Sequence, residues 1–469
     1  MNIKMVSMGC ALVLLVTGCT MIPEYSRPDA PIPEQWPQGP AYQEAQDTLG
    51  APLPAELHWR DYYADEGLRQ IIDLALENNR DLRLAALNVE RARAYYRIQR
   101  AELLPSVNAT GSAYKERIPA DLSRTGQRMT AEEYRADIGI SAWELDFFGR
   151  IRSLSQSALE EFFATEQARR SARILLVSEV ANAYLTLAAD RENLELAQAT
   201  LASQQGAYDL IRRRFEVGLV PELDLRQVQT RVDAARVDLY RFIELVARDE
   251  NALNLLVGST VPPDLSPPAL SGLTPMRPLS PGTSSEVLLT RPDILQAENL
   301  LKAANANIGA ARAALFPRIT LTTSVGTASS ELSGLFESGS GTWMFSPRIV
   351  LPIFDPRTWA ALTVTQVERE MAVTRYEGAV QSAFREVADT LAQAGTLEDR
   401  LKAQQSLLEA TEATYRISNL RYEKGTDIYL GVLDAQRSLY AAQQGLITTR
   451  LTQFANQVRL YAVLGGGAE

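Results

Sequence analysis

The chain has 469 residues, a net charge of −10 and a pI near 5.1. That acidity argues against a nucleic-acid partner, whose phosphates need clustered cations. Apolar content is ordinary for a globular protein, so most of the chain should live in water.

Residues 1–18 read as a targeting segment. Lys4 supplies a short positive region and Ala11 to Val16 an apolar one too short to span a bilayer. Val16-Thr17-Gly18-Cys19 then resembles a bacterial lipobox, in which cleavage leaves the cysteine first and acylated; the competing reading is a plain secretory signal. Cys10 would leave with the segment, so Cys19 would stand alone and no intrachain disulfide is expected. Thr20 after the cysteine, where a retention signal has Asp, implies sorting to the outer membrane.

Residues 19–65 are rich in proline and predict an extended tether. His58, the only histidine, has no second metal ligand near it and reads as structural. Residues 66–103 predict one helix, closed by Pro105. The period then changes to two. Residues 106–116 and 134–147 predict strands, with Ile138, Ile140 and Ala142 alternating against Asp137, Gly139 and Ser141 around a polar loop 117–133.

Between Gly149 and Gly218 lie 68 residues without proline. Val180, Leu187, Leu194, Leu201, Tyr208 and Phe215 recur every seven positions, which predicts a long helix packed as in a coiled coil. At about 1.5 Å per residue it would span roughly 100 Å. A tip, Gly218 to Pro221, reverses the chain into a return helix 222–257 with its own seam of Leu225, Val232, Leu239, Val246 and Leu253. Arg212, Arg213 and Arg214 stand where cations suit a helix C-terminus. The segment 259–284 is broken by prolines and reads as a surface strap.

The pattern then repeats. A shift of 207 carries Arg214-Phe215-Glu216-Val217-Gly218 onto Arg421-Tyr422-Glu423-Lys424-Gly425, and Leu253 onto Leu460. A shift of 212 carries Asp81 onto Asp293, and one of 206 carries Phe148 onto Phe354. The chain is therefore organised as a repeat 66–258, a linker 259–284 and a second repeat 285–469. In the second, Ile319, Leu321, Thr323 and Val325 alternate with polar residues, as do Phe345, Ile349, Leu351 and Ile353 around Pro347.

Each repeat thus predicts two strands of about ten residues, the length of a tilted outer-membrane strand. Four strands cannot close a barrel, and an open sheet edge in lipid leaves backbone groups unpaired. Copies of the chain must pool their strands: two would give eight and three would give twelve. The competing reading is a pair of hairpins on a soluble core. No phosphate loop, HExxH, CxxC or nucleophile elbow is present, and Ser112-Ala113-Tyr114-Lys115 lacks the companions of an SxxK site. An enzyme is not expected, nor a cofactor or a metal.

Trp143-Glu144-Leu145-Asp146-Phe147-Phe148-Gly149-Arg150, Arg291-Pro292-Asp293-Ile294 and Leu433-Asp434-Ala435-Gln436-Arg437-Ser438-Leu439 complete the pattern. With the lipobox and the duplication, they make the chain resemble the TolC family of outer membrane efflux proteins, in its OprM-like lipoprotein branch. The resemblance implies a mainly α fold with a membrane β-barrel: a homotrimeric twelve-stranded barrel on a twelve-helix periplasmic tunnel. It also implies a periplasmic adaptor and a resistance–nodulation–division transporter as partners, and an efflux exit duct as the function.

By the same resemblance, Asp434 rings the periplasmic aperture, Leu430 and Arg437 stand at its constriction, and Tyr422 pairs with Asp224 to tie adjacent helices. The tips at Gly218 and Gly425 would face adaptor or pump. Two positions depart from the TolC pattern: Gly431 replaces a second aspartate and Asp427 an arginine, so TolC's gate bonds do not transfer. Two other functions stay open at this point, a non-pore coiled-coil scaffold and an exit duct for protein secretion.

Overall fold

The computed structural model describes residues 20–42, 57–280 and 284–468. The signal segment 1–18, Cys19 and residues 43–56 of the expected tether lie outside them. In chain order the elements are α1 (Trp59–Tyr62), α2 (Glu66–Asn78), α3 (Arg80–Ala101), β1 (Val107–Ile118), β2 (Met129–Glu144), α4 (Arg150–Glu216), α5 (Glu222–Val257), α6 (Pro292–Ala313), β3 (Arg318–Ser329), β4 (Gly341–Val350), α7 (Pro356–Glu423) and α8 (Tyr429–Val463). Short 3₁₀ turns punctuate the linker and precede α6. The chain divides into two compact units.

The first unit comprises Met1–Asp29, Asn88–Thr165 and Gln296–Tyr376. Its four strands form one antiparallel sheet in the order β1-β2-β3-β4, so each repeat supplies a hairpin and β2 joins β3 across the duplication. Directly opposed residues share a face. The register pairs Ala109 with Ile138, Ile138 with Val325 and Val325 with Trp343. That face also carries Val107, Ile140, Phe345 and Ile349 and is apolar. The other carries Thr110, Asp137, Gly326 and Thr342 across one row, and Asn108, Ser324, Ser346 and Arg348 elsewhere. Trp343 is 79% exposed and Ile349 67%.

A bulge between Ile140 and Trp143 breaks the expected alternation. Ala142 there takes φ +52°, and its N–H donates to Thr322 Oγ1 at 3.1 Å. The strands also extend further toward their hairpin than the expected 134–147 and 106–116, the ladder running to Ile118 opposite Met129 with Lys115 paired to Glu132 across it. Pro347 sits within β4, opposite Leu321, rather than ending it.

The motif around Trp143 forms the junction of sheet and rod. Glu144, with its side chain 9% exposed, accepts two bonds from Arg150 at 2.8 Å and pairs with Arg318 Nε at 2.6 Å. Asp146 accepts from the backbone N–H groups of Ile151 and Arg152, capping the first turn of α4.

The second unit comprises Ala30–Leu87, Glu166–Leu295 and Glu377–Glu469. Its core gathers Trp59, Tyr62, Tyr63, Ile71, Ile72, Val180, Tyr184, Leu187 and Tyr461. Tyr62 stacks on Tyr461 at 4.3 Å, and Tyr461 Oη donates to the Leu57 carbonyl at 2.6 Å. His58 Nδ1 accepts from the Arg60 N–H, so the lone histidine caps α1. The seams are buried at Val180, Leu187 and Val387, half-buried at Leu201, Tyr208 and Tyr415, and exposed at Phe215.

The expected single helix 66–103 is broken at Asn79, which takes an extended backbone. No Gly or Pro marks the break. The amide itself makes it: Oδ1 accepts from the Leu82 N–H at 2.9 Å, and Nδ2 donates to the Leu256 carbonyl at 2.8 Å.

The proline-rich segments are extended yet docked. In the first unit Ile22 lies against Gly309, where a Cβ would come within 2.6 Å of it, and Asn305 donates to the Pro23 carbonyl. Tyr25 and Arg27 both reach Glu298, whose side chain is 4% exposed and also pairs with Lys302. Burial works to raise that carboxyl, and the bonds from Arg27 and Lys302 outweigh it and hold it below its ordinary range. In the second unit Ser285 donates to Pro33 and Glu34 carbonyls, and Trp36 stacks on Phe384. The linker buries Leu270, Leu273, Met276 and Leu279, more core than the expected surface strap.

Candidate functional site

The two helical tips, both in the second unit, are built alike. α4 ends at Glu216, Gly218 follows at φ +77°, its N–H donates to Phe215 and the Leu219 N–H to Arg214. α7 ends at Glu423, Gly425 follows at φ +72°, its N–H donates to Tyr422 and the Thr426 N–H to Arg421. Both are Schellman caps, in which glycine takes the left-handed backbone without the strain that an L side chain would bring. Pro221 caps α5 and Ile428 caps α8, neither through its side chain.

Between the tips lies a small apolar cluster of Ile211, Leu225 and Val228, with Tyr208, Val220, Tyr422 and Tyr429 packed on it. Tyr422 and Tyr429 rings lie 4.8 Å apart. Burial, then the neighbouring Tyr415 and Tyr422, push the Tyr429 phenol up to about 12.

The expected gate residues fall in two places. On α8, Leu430, Asp434 and Arg437 follow one another at i, i+4 and i+7 on an exposed strip, while Val432, Leu433 and Ala435 face inward. Arg437 Nη2 lies 3.4 Å from Asp434 Oδ1, with the two side chains 65% and 54% exposed. At the tips, Tyr422 does not bond to Asp224. Its hydroxyl accepts from Arg214 Nη1 at 2.8 Å, and the guanidinium carbon stands 5.5 Å from the ring centroid. Asp224 is half-buried in the first turn of α5. Arg212 pairs with Glu216 on its own helix and Arg213 is exposed. Arg421, the repeat counterpart of Arg214, pairs with Asp427 at 3.3 Å. No group of metal-binding side chains occurs among the described residues.

An antiparallel sheet with one apolar and one polar face, joined in the chain to 67- and 68-residue helices, defines an outer-membrane channel protein with a helical extension. The family model for outer membrane efflux protein matches residues 71–259 and 283–466, and the chain belongs to that family. It is 47% identical over 454 residues to the toluene efflux pump outer membrane protein TtgC of Pseudomonas putida, covering 97% of this chain and 93% of that one. It is 41% identical over 459 residues to the outer membrane protein OprJ of Pseudomonas aeruginosa, covering 97% and 94%. Among solved structures, the open state of the MtrE outer membrane channel of Neisseria gonorrhoeae superposes with a TM-score of 0.87 at 37% identity, covering 96% of this chain and 99% of that one. The fold is thus of the TolC type, and the protein is an outer-membrane efflux duct from a transport family.

Proposed function

We propose that three copies of the chain close a barrel and tunnel in the outer membrane, anchored by acylated Cys19 and served by a periplasmic adaptor and an inner-membrane transporter of the resistance–nodulation–division class. The observation that carries this reading is the sheet. β1 and β4 are both free edges, and lipid does not tolerate unpaired edges, so β4 of one copy pairs with β1 of the next. Three sheets of four strands then make twelve. The apolar face meets lipid and the polar face, with Asp137 and Arg348, lines water. The cargo, by likeness to relatives named for toluene and antibiotic efflux, is apolar solvents and drugs. The duct itself is passive.

Closure is assigned to the tips. Three-fold symmetry brings three Asp434 carboxylates around one axis, where they repel one another, and each leans on its own Arg437. Leu430 narrows the same aperture. Planar-bilayer recording tests this. Asp434→Ala with Tyr422→Phe is expected to raise open probability and weaken cation selectivity while the trimer still assembles. Equal conductance and selectivity in mutant and wild type would remove Asp434 from the aperture. Cys19→Ser is expected to abolish palmitate labelling without loss of the trimer; labelling that persists would overturn the anchor.

A further inference from the structure

We propose that Arg214 is a latch residue of the closed tip, holding α4 to α7 through the Tyr422 phenol; this deepens the gate reading above. The geometry is specific. The Arg214 Nη1 donates to the Tyr422 hydroxyl at 2.8 Å, and the same guanidinium lies 5.5 Å from the centre of that ring. One side chain thus makes a charge-assisted hydrogen bond and a cation–π contact to a single residue. The two positions are 208 apart in the chain, one on the last turn of each rod. The bond therefore joins the two hairpins and does not merely cap one of them.

The duplication supplies an internal control. Arg214 and Arg421 are equivalent by the repeat, as are Phe215 and Tyr422. Arg421 turns to Asp427 within its own tip. Phe215 has no hydroxyl to receive a reciprocal bond from Arg421. The latch is consequently one-way: the first repeat gives the cation and the second the phenol. The surroundings suit a holding contact. Tyr422 is half-buried, its ring braced by Tyr429 and seated on the cluster of Ile211, Leu225 and Val228. Arg214 is also half-buried, whereas Arg212 and Arg213 beside it are exposed. Separating the hairpins would expose that cluster and strand the phenol without its donor. A partner that opens the tip would do so by offering Arg214 a better acceptor or by pulling α7 away.

The experiment is a double-mutant cycle in planar bilayers on the intact trimer, with Arg214→Gln, Tyr422→Phe and the pair. Each single variant removes one charge-assisted bond from each of the three protomers, which predicts a rise in the open-to-closed ratio of about tenfold for every protomer that must release. The pair should be no more open than either alone, because both remove the same bond. Arg214→Lys keeps the charge and should recover most of the closure, a result that a purely packing role would not give. Arg212→Gln, on the same turn but turned to Glu216, should leave gating unchanged. If Tyr422→Phe itself does not open the channel, the latch falls, and Asp434→Ala alone then decides the gate reading. If Tyr422→Phe opens it and Arg214→Gln does not, or if the two effects simply multiply, the latch alone falls.

Discussion

The two repeats hold the same carbonyl with different chemistry. At the break between α2 and α3, Asn79 Nδ2 donates to the carbonyl of Leu256 at 2.8 Å. At the start of α6, Arg291 Nη1 donates to the carbonyl of Val463 at 2.7 Å. Leu256 and Val463 are 207 apart, Asn79 and Arg291 212 apart, so these are one joint seen twice. The amide suffices in the first. The guanidinium in the second, 9% exposed, must also be neutralised, and Asp293 and Glu386 do so at 2.6 and 3.0 Å. Charge moves the other way along the return helices. Asp249 in α5 corresponds to Asn456 in α8. Asn456 donates to the Thr390 carbonyl and the Gln393 side chain, while burial and then the Asp190 charge raise the Asp249 carboxyl to about 6. Duplication has kept where the helices touch and let the means of touching drift.

The junctions of sheet and rod differ more. In the first repeat Glu144, Arg150 and Arg318 form a node inside the chain. In the second, Val350 and Pro356 stand at the positions of Glu144 and Arg150, and the turn leaves Ile353 and Phe354 94% and 89% exposed. A patch that apolar beside a free edge strand is surface awaiting a neighbour. The largest effect is therefore expected from Ile353→Asp with Phe354→Asp, which should prevent trimer formation, read by light scattering in mild detergent. A normal trimer would mean that the second junction is as self-sufficient as the first. Next, Glu144→Gln should cost about 2 kcal/mol by uncoupling a charged hydrogen-bond node, and Val350→Ala at the equivalent place less than about 0.5; denaturant unfolding of the solubilised protein compares them.

The smallest effect sharpens the contrast between the return helices. A carboxyl raised from 3.8 to about 6 lends its stability below its unfolded value and loses it as pH rises through about 6. Asp249→Asn, which installs the residue of the second repeat, should raise the melting temperature at pH 7 by more than at pH 4.5. An equal shift at both values would show that the Asp249 carboxyl is not raised in the folded protein.

Much of this was legible before any coordinates. Heptads flanked by glycines delimit α4 to within a residue, because helix caps are local. Alternation locates the strands, because a sheet face is a local pattern too. The break at Asn79 was not legible, since asparagine interrupts a helix only when something such as the Leu256 carbonyl claims its amide. The Arg214–Tyr422 contact was equally hidden: each residue fits its own helix, and only the fold brings them together. For the same reason the N-terminal segment reads as a loose tether. Its proline content forbids regular structure, but the carboxylate that binds it lies 271 residues away at Glu298.

That docked segment also sets a ruler. Residues 21 to 27 run against α6 in reverse, Met21 beside Arg312 in its last turn and Arg27 beside Glu298 in its first half. β3 begins at Arg318, a few residues past that last turn. The acyl group proposed above for Cys19 would have the slack of about one residue, some 3.5 Å, from Thr20. The lipid would then be no leash on which the protein swings. It would be a fixed datum, gauging how deep the strands stand in the bilayer.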